Sequence, residues 1–293
     1  MSFFRKIKWR RGMEITPATF EAVDRYNETL AATSRRMSVR ACHGLLPHSD
    51  INFPITVIED SIAVQVYSLE AVSRSGILFQ IAGDSISLRQ PHACGRECYV
   101  VVHSDGDVEQ EINDVPYSKP RFEYDYSQLD DIGPDSIPIA KLFLNNNSWN
   151  VQELYIPPCM SVGAHPELFK IVQKCDALLN SIILKYSNMT DAATLLSLRL
   201  LSVELHSYDG SESPKDFFVL LNKIVVALSS LSPSSANPSE QKPFNNDDIL
   251  LAISPLVDYL VSVESSALDP TPKPEVKPKR PMFEGPVWDA ETR

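Results

Sequence analysis

The densest run of metal-ligating side chains in the sequence is His92-x-Cys94-x3-Cys98-x4-His103. Thiolate and imidazole groups at such spacings can hold a tetrahedral zinc ion, which would suit a metal-dependent hydrolase. Of the ligand pairs, however, only Cys94 and Cys98 come near a usual zinc spacing. The run Glu97 to His103 also has a Tyr-Val-Val-Val centre typical of a buried strand, where residues five apart point to opposite faces. We therefore favour a loop followed by a strand over a zinc site.

A second cluster offers oxygen ligands around Gly106: Asp105, Asp107, Glu109, Glu111 and Asn113. Such a loop can bind a hard cation, but the spacing does not follow an EF-hand and acidic surface loops are common. The pair Asp130-Asp131 is interpreted as a solvated turn, because nothing in the sequence supplies the burial or the partner that an acid–base pair needs.

Motifs of the common enzyme classes are missing from the sequence. It contains no G-x-S-x-G, no H-E-x-x-H and no G-x-x-x-x-G-K-[ST], and its ten glycines form no phosphate-binding cluster. These observations predict a non-enzymatic protein without a cofactor.

Charge and composition restrict the partners. The 293 residues carry 27 basic and 38 acidic side chains, for a net charge of -11, which argues against sequence-independent binding of nucleic acid. Basic residues crowd the first eleven positions, but no apolar signal segment follows them. No apolar run approaches the ~20 residues that span a bilayer, so we expect no membrane insertion. Five cysteines in so large a chain predict a reduced, cytoplasmic protein rather than a disulfide framework.

Residues 1–160 have the pattern of a β-rich domain. Short apolar or alternating runs with turn residues between them predict an antiparallel sandwich: Ile55 to Val66, Ile77 to Ile81, Cys98 to His103 and Lys141 to Leu144. One helix is expected near the start of this domain, capped by Thr16 and opened by Pro17. Its apolar residues follow at helical spacing: Phe20, Val23, Tyr26 and Leu30.

From Pro166 onward the apolar period becomes helical. A seam with spacings of four and three, of the kind that a helix buries against partner helices, predicts a first helix. Its members are Leu168, Val172, Cys175, Leu179, Ile182 and Tyr186. We expect this face to be buried against other helices.

Three more helices are predicted after this one. They begin near Thr190, at Ser213-Pro214 with Asp216 in a capping box, and near Asn246. Pro255 is expected to kink the last helix or to delay its start. Short connections predict an antiparallel four-helix bundle over residues 161–266, so the whole chain is α+β.

Residues 267–293 form a third region. Six prolines lie between Pro270 and Pro286, and no helical period is present. We expect a flexible, Pro-rich tail. Phe283 and Trp288 are more apolar than a simple spacer needs, so they are candidates for docking on a partner.

Three elements of the sequence follow a recognisable series of motifs. The first, Trp9 to Phe20, follows W-x-E-G-M-x-L-x-P-Q-H-F, with matches at Trp9, Gly12, Met13, Pro17 and Phe20 and with Arg11 in place of the acidic residue. Gly44-Leu45 falls at a W-G-L element, with His43 replacing Trp. The last follows L-P-I-A-[KR] and then Y-I-P-P: Ile137 to Lys141 and Tyr155 to Pro158. In type, order and spacing these motifs resemble the TssK family of type VI secretion baseplate proteins. The resemblance implies that the six seam residues from Leu168 to Tyr186 form the neck of a trimer.

The resemblance implies a β-sandwich shoulder, a helical neck that trimerises, and no room for the family's usual C-terminal head domain. It implies contacts with baseplate wedge proteins similar to TssF and TssG, and with the membrane complex through the tail, at the inner face of the bacterial inner membrane. The matching N-terminal residues are the candidates for partner binding: Trp9, Gly12, Met13, Pro17 and Phe20. A phage-like tail adaptor or receptor-binding module with the same shoulder is the alternative.

Overall fold

A computed structural model describes the chain at residues 16–38, 42–47, 52–58, 61–91, 95–112, 115–187, 190–229 and 243–266. Within these ranges it contains ten strands and five α-helices. All pairings between the named strands are antiparallel. The predicted α+β fold, in which antiparallel sheets precede a helical bundle, is confirmed.

The N-terminal part consists of helix α1 (Pro17–Ser38) and ten strands. In chain order the strands are β1 (Gly44–Leu45), β2 (Ile55–Ile58), β3 (Ser61–Val66), β4 (Leu69–Val72), β5 (Leu78–Ile81), β6 (Asp84–Arg89), β7 (Glu97–Ile112), β8 (Val115–Ser127), β9 (Ser136–Asn145) and β10 (Ser148–Val151). They form three sheets with the orders β1-β4-β5, β2-β3-β6 and β10-β9-β7-β8. The run Ile55 to Val66 is therefore not one strand but the hairpin β2–β3, in which Ile58 pairs with Ser61.

Four helices follow: α2 (Pro166–Tyr186), α3 (Ala192–His206), α4 (Pro214–Ser229) and α5 (Ile249–Ser266). Their starts agree with the sequence signals because local caps define them. The Asp191 carboxylate accepts the backbone N–H of Ala193 and of Thr194, at 3.0 and 2.9 Å. At the start of α4, the Ser213 hydroxyl accepts the N–H of Asp216 at 3.1 Å. Each helix packs on the next, and α2 also packs on α5, which closes the bundle.

One of the two alternatives for Pro255 is ruled out: helix α5 begins at Ile249 and continues through Pro255, so the proline does not delay its start. The segment Asn246–Ser266 is also long and apolar enough to cross a membrane by length and composition, although we expected no such run. Packing gives the physical reason: its apolar side chains contribute to the protein core, where Ile253, Leu256 and Leu260 are buried.

One continuous apolar core extends from the sheets into the bundle. It includes Leu45 and Phe79 on strands, Ile156 in the connection, and Leu179 and Val263 on helices. The strands and the helices are therefore held together by shared packing, and the segments that join them belong to the core.

Candidate functional site

The predicted zinc motif finds no support in the part of it that the structure describes. His92 and Cys94 lie outside the described residues. Cys98 is buried in the core, whereas the His103 ring is about one-third exposed and lies 3.9 Å from the Glu123 carboxylate. Among the described residues, no group of three or more His, Cys, Asp or Glu side chains is placed to hold a metal ion.

The acidic candidates are likewise not assembled into a described site. Asp105 is exposed and faces Arg121 at 3.9 Å. Asn113 lies outside the described residues, and Asp107, Glu109 and Glu111 belong to the β7–β8 hairpin. Asp130 and Asp131 are exposed in a short turn, in agreement with the sequence interpretation.

Two of the family-like elements, Gly44-Leu45 and Tyr155 to Pro158, meet at the junction between the sheets and the bundle. The Leu45 N–H donates to the Pro158 carbonyl at 2.8 Å, and the Met160 N–H donates to the Leu45 carbonyl at 3.0 Å. Gly44 adopts a φ of +114°, and a Cβ atom placed there would lie 2.0 Å from the Pro158 oxygen. Only glycine combines this backbone conformation with so close an approach.

Next to this contact, Asp248 connects the start of α5 to strands β7 and β9. Its Oδ2 accepts the Tyr99 hydroxyl at 2.8 Å and the Lys141 Nζ at 2.9 Å. The Lys141 and Asp248 side chains are both more than nine-tenths buried. Burial lowers the pKa of Lys141, but the hydrogen bond and the charge of Asp248 outweigh it and raise that pKa above its usual value. Burial and Asp248 likewise raise the pKa of Tyr99.

The adjacent Asp247 binds the segments that flank β1 and β4. Its carboxylate accepts the His43 Nε2–H at 2.8 Å and forms an ion pair with Arg74, while its carbonyl accepts the Tyr155 hydroxyl at 2.8 Å. Burial and the charge of Arg74 lower the pKa of His43 to about 3. The ring is therefore neutral and donates one hydrogen bond to Asp247, and Asn246 donates to the His43 carbonyl.

We call these residues the junction network: His43, Arg74, Tyr99, Lys141, Tyr155, Asp247 and Asp248. The charges of the two carboxylates are balanced by Arg74 and Lys141, and both tyrosine hydroxyls and the His43 Nε2 have partners. Such a paired arrangement suits a structural clamp, because a buried charge is tolerated when it is paired and hydrogen-bonded.

Sequence reasoning placed the start of the last helix near Asn246 but missed the partners of the two carboxylates that follow, Asp247 and Asp248. The available signal was Lys141, a cation inside the apolar stretch from Ile137 to Leu144, since a buried lysine needs a carboxylate. Nothing in the sequence indicated that Arg74 would lie near Asp247.

The predicted partner-binding residues are only partly described. Trp9, Gly12, Met13, Phe283 and Trp288 lie outside the described residues. Pro17 opens α1, as expected, and Phe20 is exposed on that helix to 60% of its surface. Leu30 is also exposed, and Arg35 joins α1 to the sheets by donating from Nε to the Gly76 carbonyl at 2.9 Å. Helix α1 therefore presents apolar side chains that no other described residue covers.

The six residues predicted for the trimer neck have a different place in the single chain. Tyr186 is half-buried at the end of α2. The other five are buried in the core of the chain's own bundle: Leu168, Val172, Cys175, Leu179 and Ile182. A periodic seam predicts burial but does not identify the helix that causes it. Since α3 and α5 pack on α2, little of the seam is left for another copy.

Sequence reasoning did not single out an outward apolar face on the bundle. Helix α3 buries Leu198 and Leu205 inward, yet Leu196, Leu200 and Val203 on its other face are 59, 62 and 69% exposed. On α4, Val219 and Val226 are exposed as well. We call these five residues the outer stripe. A signal was present, because α3 is apolar on both faces and such a helix is usually covered on both.

Comparison with protein families gives one family match. A family model described as Bacterial Type VI secretion, VC_A0110, EvfL, ImpJ, VasE matches residues 101–271, which is more than half of the chain. The match includes the Ile137 to Pro158 segment and the bundle, whereas Trp9 to Phe20 lies before it. No curated protein sequence matches the chain.

Solved structures share the fold at low sequence identity. A crystal structure of TssK has a TM-score of 0.64 and 14% identity, over 89% of this chain and 69% of that chain. A chain from the cryo-electron microscopy structure of a type VI secretion TssK-TssF-TssG baseplate subcomplex has a TM-score of 0.65 and 13% identity, over 90% of this chain and 100% of that one. TssK from EAEC, bound to nanobody nb18, has a TM-score of 0.63 and 12% identity, over 85% and 69% of the two chains. The family match over more than half of the chain, with which the shared fold agrees, establishes that the chain belongs to the TssK-type family of bacterial type VI secretion proteins.

Proposed function

We propose that this chain is a structural, non-enzymatic subunit of a type VI secretion baseplate. The observation that carries the proposal is the family match over residues 101–271. The shared fold supports it, because one similar chain comes from a TssK-TssF-TssG baseplate subcomplex and another from a type VI baseplate complex. In this role the chain is a trimeric adaptor between wedge subunits and the membrane-anchored apparatus, in the cytoplasm at the inner membrane.

The contact with wedge subunits similar to TssF and TssG is assigned to the N-terminal region that includes α1. Phe20 and Leu30 on α1 are exposed apolar side chains. Exposed apolar residues on an otherwise polar helix are a common feature of helices that dock on a partner. The contact with the membrane-anchored apparatus is assigned to the tail, residues 267–293.

Changing Phe20 and Leu30 to glutamate is expected to reduce co-purification of wedge proteins with the tagged full chain by about tenfold or more. Both side chains are exposed, so circular dichroism of the variant is expected to match that of the unchanged protein. The control is Leu184→Glu, which places one glutamate at an exposed leucine of α2. Undiminished co-purification would contradict the role of α1, and absence of every baseplate protein from the unchanged sample would contradict the baseplate role.

The trimer contact is assigned to the outer stripe rather than to the α2 seam. Full burial of an exposed Leu or Val side chain in a contact stabilises that contact by about 1.5–3 kcal/mol. The stripe is bordered by an exposed ion pair between Lys223 Nζ and Glu204 Oε1 at 3.3 Å, which joins α4 to α3. An apolar centre with a charged border is the usual composition of a protein interface.

The double change Leu200→Glu/Val203→Glu is expected to convert a trimer into a monomer, because each carboxylate would lose water in the contact. Light scattering after size-exclusion chromatography measures the mass, and Leu184→Glu again serves as control. A monomeric unchanged chain at micromolar concentration, or a trimer that persists in the double variant, would refute the assignment.

A further inference from the structure

A groove of about 460 Å³ lies beside the junction, between α2, α5 and residues 153–156. Its floor is apolar and includes Ile156, Ile171, Ile253 and Val257. Leu154 also lines the groove, and 69% of its surface is exposed, which is unusual for a leucine that lies beside buried apolar residues. The volume lies within the range of about 300–1,000 Å³ found for pockets that hold ligands.

The rim of the groove carries charges of both signs. Glu167 is paired with Lys170 at 2.6 Å. Lys174 on α2, Asp258 on α5 and Glu153 are exposed, and none of these three forms an ion pair with another described residue. An occupant of the groove would therefore bring apolar groups for the floor, basic groups for the two carboxylates, and an acidic group for Lys174.

The chain's own residues 267–293 have this composition. Lys277, Lys279 and Arg280 precede the apolar pair Met282-Phe283, and Val287-Trp288 is followed by Asp289. Phe and Trp can each bury about 150–250 Å² of surface. The prolines of this segment have no N–H group to satisfy, so an extended Pro-rich chain can lie in a groove without a strand partner.

The distances also allow this segment to reach the groove. Ile253 lies thirteen residues before Ser266, the end of α5, which is roughly 20 Å along a helix. Seventeen residues separate Ser266 from Phe283, and an extended chain of that length spans up to about 55 Å. The segment can therefore turn back along α5 with length to spare.

We propose that residues 281–289 dock in the groove of the same chain, with Phe283 and Trp288 on its apolar floor. Lys277 to Arg280 then face Glu153 and Asp258, and Glu284 or Asp289 faces Lys174. The proposal does not depend on the baseplate role. Its consequence for that role is that a partner recognising the tail must compete with the groove for the same side chains.

The test places the photoreactive residue p-benzoylphenylalanine at position 288 of the full chain and maps its cross-links by mass spectrometry. We expect cross-links confined to peptides that contain Leu154, Ile171 or Ile253. A mixture of isotope-labelled and unlabelled protein distinguishes a cross-link within one chain from a cross-link between two chains. We expect the two peptides joined by each cross-link to be both labelled or both unlabelled, because they come from the same chain. The double change Leu154→Glu/Lys174→Glu is expected to reduce their yield by about tenfold, and the control Leu184→Glu to leave it unchanged.

Both groove changes are at exposed positions, and an unchanged thermal midpoint confirms that the variant folds. Cross-links spread over the surface, cross-links between differently labelled chains, or a yield that the double change does not reduce would each overturn the proposal.

Discussion

Asp248→Asn is expected to lower the free energy of unfolding by about 3 kcal/mol, because it removes the buried counter-ion of Lys141 and leaves only the exposed Glu97 carboxylate, 3.2 Å from Nζ. The change keeps the size of the side chain but leaves one acceptor oxygen instead of two, so it removes the negative charge and also the acceptor of either the Tyr99 hydroxyl or the Leu251 N–H. Chemical denaturation followed by circular dichroism measures the effect.

Two comparisons isolate the contribution of the buried charge pair. Asp258→Asn makes the same chemical change on the exposed face of the same helix and is expected to shift stability by less than about 0.5 kcal/mol. Adding Lys141→Met to Asp248→Asn removes the buried cation that has lost its buried partner, and is expected to recover at least about 1 kcal/mol. A double variant less stable than Asp248→Asn alone would show that Lys141 contributes through something other than its pairing with Asp248.

Gly44→Ala is the second large expected effect, with a loss of about 3 kcal/mol or more. Two costs combine at this position: the backbone φ of +114° is unfavourable for alanine, and the new Cβ would clash with the Pro158 carbonyl. The Leu45–Pro158 and Met160–Leu45 hydrogen bonds depend on the same close approach. The measurement is again the denaturation midpoint.

Gly83→Ala is the matched control for this prediction. Gly83 also has a positive φ, +73°, but nothing lies within 4 Å of the position of an added Cβ. Gly83→Ala is therefore expected to lower the free energy of unfolding only through the unfavourable backbone conformation, by about 1–2 kcal/mol. If the two substitutions cost the same, the approach of Gly44 to Pro158 contributes nothing to stability.

Both predictions concern the junction, where three of the family-like elements meet: Gly44-Leu45, Lys141 and Tyr155 to Pro158. Lys141 and the Tyr155 to Pro158 segment were singled out by resemblance, and their structural reason is now specific. Lys141 pairs with Asp248, Tyr155 donates to the Asp247 carbonyl, and Pro158 accepts from Leu45. His43, which stands where the family motif has Trp, uses its ring to bind Asp247.

Local features of the fold could be predicted from the sequence because their causes are local. The helix starts at Pro17, Pro166 and Pro214 follow from capping residues and proline, which act within one turn. The seam on α2 predicted that its apolar face is buried, and that face is buried.

The identity of the element that covers each face could not be predicted in the same way. Periodicity reports that a side is apolar, and the same seam suits a neighbouring helix of the same chain or of another copy. The structure covers the α2 seam with α3 and α5 and leaves the second apolar face of α3 exposed, which is why we propose the trimer contact at Leu200 and Val203 rather than at Leu168 and Val172.

The sequence by itself thus determined the helices, their caps, the α+β class and the segments that resemble the TssK family. Only the tertiary structure decided that His43 and Arg74 meet Asp247, that Lys141 meets Asp248, and that a groove remains beside them. The physical reason is separation along the chain: His43 and Asp247 are 204 residues apart. A contact over that distance is set by how sheets and helices pack together, and no local pattern of residues encodes it.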